Sequence, residues 1–141
     1  MEQKSNFDPI ANYWREKLPK SCPLEGAHEY KGDFYRFVKN AKNITECDFD
    51  SLATQGRSIP IGLECQAHSL SGFIDLDECK RAYDLHNYLR KKFHAIIEIK
   101  LSEEDGKILK TPAKTLPEHY SWWVSSSCHP LERYTVKCIL N

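Results

Sequence analysis

The stretch from Asp75 to Phe93 constrains the chain most. Asp75 sits where a helix N-cap belongs, with Glu78 three residues later, the spacing of a capping-box variant. Cys79, Ala82, Tyr83, His86, Leu89 and Phe93 then recur at steps of three and four, which puts them on one stripe of a helix. The run closes on Arg90, Lys91 and Lys92, positive charge where the helix dipole is negative. An amphipathic helix of this length needs an apolar surface to lie on, and the flanking sequence is strand-like.

Before the helix, "FYRFVKN" (34–40) reads as a strand apolar on both faces, Phe34 and Val38 on one and Tyr35 and Phe37 on the other. That pattern predicts a central strand. "DFDSLATQG" (48–56) has the aspartate and glycine of a helical turn, and "SIPIGLECQAHSL" alternates like a half-buried strand, with Ile61, Leu63, Cys65 and Ala67 sharing a face. After the helix, "HAIIEIKL" turns Ala95, Ile97, Ile99 and Leu101 inward, and "SEEDGK" and "KILKT" read as turn and returning strand of a hairpin. "HYSWWVS" and "ERYTVKCIL" supply two more strands, the last with Tyr134, Val136, Cys138 and Leu140 inward.

The expected fold is therefore α+β: a single mixed or antiparallel sheet of five to six strands, with one long helix packed on one face. Residues 1–33, with a possible short helix in "PIANYWREKL" and much Pro and Gly, read as an N-terminal arm, and residues 34–141 as the domain. At 141 residues such a domain buries enough surface to fold alone.

Twenty Lys plus Arg balance twenty Asp plus Glu, so no overall field draws the chain to nucleic acid or an anionic membrane. No stretch of 18 apolar residues and no leader pattern is present, and the six cysteines are scattered singly. These features predict a cytoplasmic protein with free thiols.

The sequence lacks a phosphate-cradling glycine loop, GxSxG, HExxH and paired CxxC. No cofactor and no metal site is expected. Cys65 with His68 falls on opposite faces of an extended strand, and Cys128 with His129 lies beyond a strand end.

Five other positions carry candidate chemistry. Arg36 stands mid-strand among apolar residues, where a guanidinium needs a carboxylate partner or an anionic ligand. His68 and His119 fall on polar strand faces and are the candidate acid and base groups. Ser69 and Ser71, in "HSLSG" before the long helix, are candidate anion contacts or simply residues of the turn. A sixth position, Trp123, alternates away from Trp122 onto a face with His119, Ser121 and Ser125; it is either covered by helix or arm residues or exposed as a binding surface.

Together "FYRFV", "DFDS", "CQAHSLSGF", "AIIEIKL" with "DGKILKTP", and "HYSWW" resemble a set of small uncharacterised bacterial proteins, which implies no activity but suggests a mobile-element or phage-conflict setting. Arg36 and Ser69 also resemble the strand-borne Arg and Ser of ADP-ribosyltransferase-like folds, although the catalytic glutamate of that family has no match, Glu98 lacking its flanking motif. The leading expectation is an accessory or protein-interaction module using Trp123. The alternative is a small enzyme, a nucleotidyl or ADP-ribosyl transferase or a nuclease, acting on a nucleotide or RNA. In it Arg36 holds phosphate, and His68 and His119 act as acid and base. A homo-oligomer joined at an open sheet edge is a third arrangement.

Overall fold

The helical stripe finds its apolar surface, but that surface is one of two sheets rather than the only one. The computed structural model of the protein describes residues 13–140. Its elements in chain order are β1 (Gly32–Val38), β2 (Leu70–Gly72), α1 (Leu76–Leu85), α2 (Asn87–Lys92), β3 (Ala95–Leu101), β4 (Gly106–Lys110), β5 (Tyr120–Val124) and β6 (Tyr134–Ile139). Short 3-10 turns occur at Glu46–Phe49, Gln66–His68, Glu103–Asp105 and Pro130–Glu132.

The expected single sheet is corrected to two antiparallel sheets of three strands, ordered β1-β3-β6 and β2-β5-β4. Three layers result. Phe34, Val38, Ile97 and Ile99 of the first sheet meet Leu70, Ile108, Trp122 and Val124 of the second in one core, with the Phe34 and Trp122 rings edge to face at 5.4 Å. On its other face the first sheet turns Tyr35, Phe37 and Ile96 toward Cys79, Ala82 and Tyr83 of α1 and Leu89 of α2. The sheets join at one bridge, where Tyr35 and Phe73 exchange backbone hydrogen bonds of 2.8 and 2.9 Å.

Gly72 makes that close approach possible. A Cβ there would lie 2.4 Å from the Phe34 ring and 2.6 Å from the Tyr35 carbonyl oxygen, so any side chain would push the sheets apart. Gly106, at φ 125°, has the matching role after the crossover, since its Cβ would come within 2.0 Å of the Trp123 carbonyl oxygen.

Several local expectations are also corrected. The central strand of the first sheet is β3, buried on both faces, while β1 lies at its edge. The predicted hairpin does not form, because β3 pairs with β1 and β6 whereas β4 pairs with β5. Between them, Glu103–Asp105 carries the chain from one sheet to the other. The crossover is held by the Asp105 carbonyl, which accepts from Trp122 Nε1 at 3.0 Å, and by the Asp105 carboxylate paired with Arg133 at 2.5 Å.

The 58–68 segment is not a strand. Leu63 N–H donates to the Pro60 carbonyl and Ala67 N–H to the Leu63 carbonyl, so local turns replace a ladder and leave Ile61 98% exposed. In β6, the register slips between Ile96 and Ile97, so that Cys138 faces Ile96 and Val136 faces Ile97. This bulge moves Cys138 and Leu140 to the helix side while Tyr134 stays in the inter-sheet core.

The helical run is capped as its sequence predicts, Asp75 accepting from Glu78 N–H at 3.1 Å, but it breaks at His86, whose backbone is extended. The ring Nε2 of His86 meets the Thr115 carbonyl instead of joining the core. Of the arm, residues 1–12 lie outside the described residues, and with them the start of the expected helix. The remainder is stitched to the second sheet by bridges from Trp14 to Ser125 and from His28 to Ile108.

The free-thiol expectation is corrected as well. Cys22 of the arm and Cys65 form a disulfide with Cα atoms 5.5 Å apart. No helix among the described residues is long and apolar enough to cross a membrane.

Candidate functional site

A cleft of about 430 Å³ opens where β1, the 50–57 turns, β2, α2 and the 116–119 loop converge. Its walls differ in chemistry. Phe37, Phe73, Tyr88 and Phe93 are aromatic, and Leu52, Leu89 and Leu116 add aliphatic surface. Against these, Arg36, Arg57 and Lys92 bring three cations and Asp50 one carboxylate among the described residues that line the cleft.

Arg36 decides the electrostatics. Its guanidinium donates to the Ser71 carbonyl at 2.5 Å and to the Asp48 carbonyl at 2.9 Å, while its Nε is buried without a partner among the described residues. Two carbonyls fix the direction of the guanidinium, and no carboxylate among the described residues forms an ion pair with it. Burial first, and then the repulsion of Arg15, pushes its pKa down to about 10, with Asp48 working the other way. Lys92 is likewise lowered by burial and then by the nearby Arg57 and Lys39. Lys92 and Arg57, close enough to repel each other at the cleft wall, favour an anion between them.

His119 ends the loop before β5 and faces the ring of Phe73 edge-on at 6.2 Å. Its Nδ1 lies 3.0 Å from both the carbonyl and the hydroxyl oxygen of Thr111, whose hydroxyl also meets Ser121 at 2.8 Å. A carbonyl can only accept, so in the neutral ring Nδ1 carries the hydrogen and Nε2 keeps the lone pair. Among the described residues no group hydrogen-bonds Nε2. Burial, opposed by the Thr111 hydrogen bond and aided by Arg36, lowers the pKa of the ring from the ordinary 6.5.

The sign of the pH effect follows from that direction. The unfolded chain takes up the His119 proton first as pH falls below 6.5, so this residue contributes stability above that pH and loses it on acidification. In urea titrations between pH 7.5 and 5.5, His119→Gln is expected to lose less stability than the wild type. Equal pH slopes for the two proteins would refute the lowered pKa.

No protein-family model matches the chain, and neither curated proteins nor solved structures give a significant match. The site is therefore judged on its own geometry.

The cleft gathers Arg36, Ser69, Ser71 and His119 of the sequence candidates. Ser71 lies opposite Ser121 across the β2–β5 pair, which places His119 two residues along the same sheet face. Ser71 is exposed and lines the cleft, whereas the Ser69 hydroxyl is spent on the Gln66 carbonyl at 2.7 Å.

Two candidates are corrected. His68 belongs to a 3-10 turn rather than a strand face, and its Nδ1 pairs with Glu16 at 2.8 Å. The same carboxylate accepts from Ser51 at 2.7 Å, so His68 ties the arm down and takes no part in the cleft. Trp123 is 0% exposed, its Nε1 donating to the Cys65 carbonyl at 2.9 Å; it is a structural residue and not a binding surface.

Cys65 is occupied by the disulfide, and the buried Cys128 thiol is pushed up to about 12, first by burial and then by Asp105. It stays protonated at neutral pH and is a poor metal ligand.

Sequence reasoning missed Tyr88, Lys92 and Arg57. Tyr88 gave a usable signal, an aromatic residue off the apolar stripe of its helix. Arg57, in an exposed turn after Gly56, gave none.

Proposed function

We propose that the protein binds a small organic anion in the cleft between β1, β2 and α2. The observation that carries this reading is the Arg36 guanidinium, oriented by two carbonyls and ion-paired with no carboxylate among the described residues, in a cleft that Arg57 and Lys92 also line. A volume of about 430 Å³ is in the range of small-molecule sites, which run from about 300 to 1,000 Å³. The balanced charge of the chain supports a local anion site better than a track for polymeric nucleic acid. The interaction-module reading, with its mobile-element setting, loses its main surface once Trp123 is covered.

A catalytic reading rests on His119. With Nδ1 locked on Thr111, a neutral Nε2 facing bound ligand has the properties of a general base, and transfer or hydrolysis becomes accessible if the ligand presents a hydroxyl or binds a water there. Compartment enters through the Cys22–Cys65 disulfide, a bond kept in oxidising surroundings, which weighs against the cytoplasmic expectation.

Calorimetric titration with inorganic phosphate and simple phosphate esters tests the reading. Binding is expected at low salt and is expected to weaken as salt is added. Arg57→Ala and Lys92→Ala should each weaken it by about tenfold, the loss of one hydrogen bond to a charged group. Absence of binding by every phosphate compound, or equal affinity in both variants and wild type, would sink it.

A further inference from the structure

Resting on the anion-site reading, we infer that the ligand class is a mononucleotide, held by stacking on Tyr88 and by phosphate contacts to Lys92 and Arg57. Tyr88 and Lys92 are four residues apart on α2, and both line the cleft. Residues at that spacing share a helix face, displaced along the axis by about 6 Å. An aromatic plane and an ammonium group are thus set one helical turn apart, which suits a ligand with a planar ring at one end and a phosphate at the other, joined by a single sugar.

Tyr88 has the exposure such a contact needs. It is 54% exposed at the mouth of the cleft, in contrast to Phe37 and Phe93, which stack on each other at 5.7 Å as part of the packed floor. The Tyr88 hydroxyl makes no hydrogen bond among the described residues, and the ring meets the His86 imidazole only at a tilt, with centroids 5.7 Å apart, which leaves more than half of the side chain open to solvent. Every base offers a π-face to such a platform, so a stacking site tolerates different bases. The phosphate end has Lys92, whose ammonium lies over the Phe93 ring at 5.3 Å, and Arg57, and both are exposed side chains able to close on a ligand. The middle of the ligand would then lie toward the Ser71 hydroxyl and His119 Nε2, which provide a donor and an acceptor for sugar hydroxyls.

The size of the cleft fits this class. It is large enough for one nucleotide, and its packed aromatic floor offers no second aromatic platform exposed as Tyr88 is among the residues that line it.

Calorimetry on the oxidised 141-residue chain with adenosine and uridine 5′-monophosphates, ribose 5-phosphate, inorganic phosphate and adenosine separates the possibilities. Both nucleotides are expected to bind at least about tenfold more tightly than ribose 5-phosphate, the value of one base stack. Tyr88→Ala is expected to bring nucleotide affinity down to that of ribose 5-phosphate, whereas Tyr88→Phe, which keeps the ring, should retain the preference. Thermal melts of both variants identify any loss due to unfolding. If ribose 5-phosphate or phosphate binds as tightly as the nucleotides, or if Tyr88→Ala keeps the preference, the nucleotide assignment is overturned while the anion site stands. If no phosphate compound binds, the anion site itself fails.

Discussion

Replacing Cys22 and Cys65 together by serine is expected to lower folding stability by about 4 kcal/mol, the chain-entropy value for closing a loop of this span. The bond joins residues separated by 43 positions, and that loop contains β1, Arg36, Asp50 and Arg57. Much of this span has no ladder of its own. From residue 39 to residue 65 the backbone runs through turns and one 3-10 segment, held locally by bonds such as Ala53 N–H to the Ala67 carbonyl. Without the cross-link the unfolded chain gains the entropy of an open loop, while the folded chain keeps few contacts that would compensate.

Urea denaturation with and without a reductant measures the effect. The wild type should lose midpoint on reduction, and the Cys22→Ser/Cys65→Ser protein should be insensitive to reductant. That second arm excludes Cys47, Cys79, Cys128 and Cys138, which are free. Identical midpoints for oxidised and reduced wild type would mean that the bond has no structural role. The same reduction should weaken ligand affinity, because Arg36, Asp50 and Arg57 reach the cleft from within the loop.

Local signals in the sequence translated well where local physics decides the outcome. The Asp75 cap and the 79–82–83–89 stripe depend on helical periodicity alone, and both are present. Ala95, Ile97, Ile99 and Leu101 likewise share the inter-sheet face that strict alternation assigns them. Pairing is different in kind. Nothing in "KILKT" states that its partner is β5 rather than the preceding β3, because the choice depends on which apolar face must be buried against which.

The 58–68 segment alternates convincingly, yet Pro60 and Gly62 turn it back and Cys65 is held by a cysteine 43 residues away, a constraint with no spacing signature. In β6, one extra residue at the bulge was enough to send Cys138 and Leu140 to the opposite face.

Within the cleft, Arg36 was legible because a charge amid strand hydrophobics must have a reason. His119 and Ser71 were legible as polar-face residues near strand ends. Tyr88, Lys92 and Arg57 join them only through the folding of α2 and the 50–57 turns over β2, which no pattern along the chain encodes. His68 shows the converse. Its residue type suited catalysis, but the arm supplied Glu16 as a partner and took it out of the site.

Trp123→Ala is expected to cost about 3–5 kcal/mol, the usual loss when a large aromatic is truncated in a core. The indole is fully buried, and the space it would vacate lies beneath the Cys65 segment, whose carbonyl would lose the Nε1 donor at 2.9 Å. Two penalties therefore combine, a cavity and the loss of one hydrogen bond, since the Cys65 carbonyl keeps the His68 N–H at 3.1 Å. Trp123→Phe separates them, since it keeps an aromatic ring and removes the donor; its expected loss is intermediate. Because Trp123 bonds the residue that carries the disulfide, the Trp123→Ala and Cys22→Ser/Cys65→Ser effects should not add. Once the bond is gone the 58–68 turns can relax onto a smaller side chain, so the combined variant should lose less than the sum. A folded Trp123→Ala protein with an unchanged urea midpoint would overturn the structural assignment and return Trp123 to the surface as a contact for a partner.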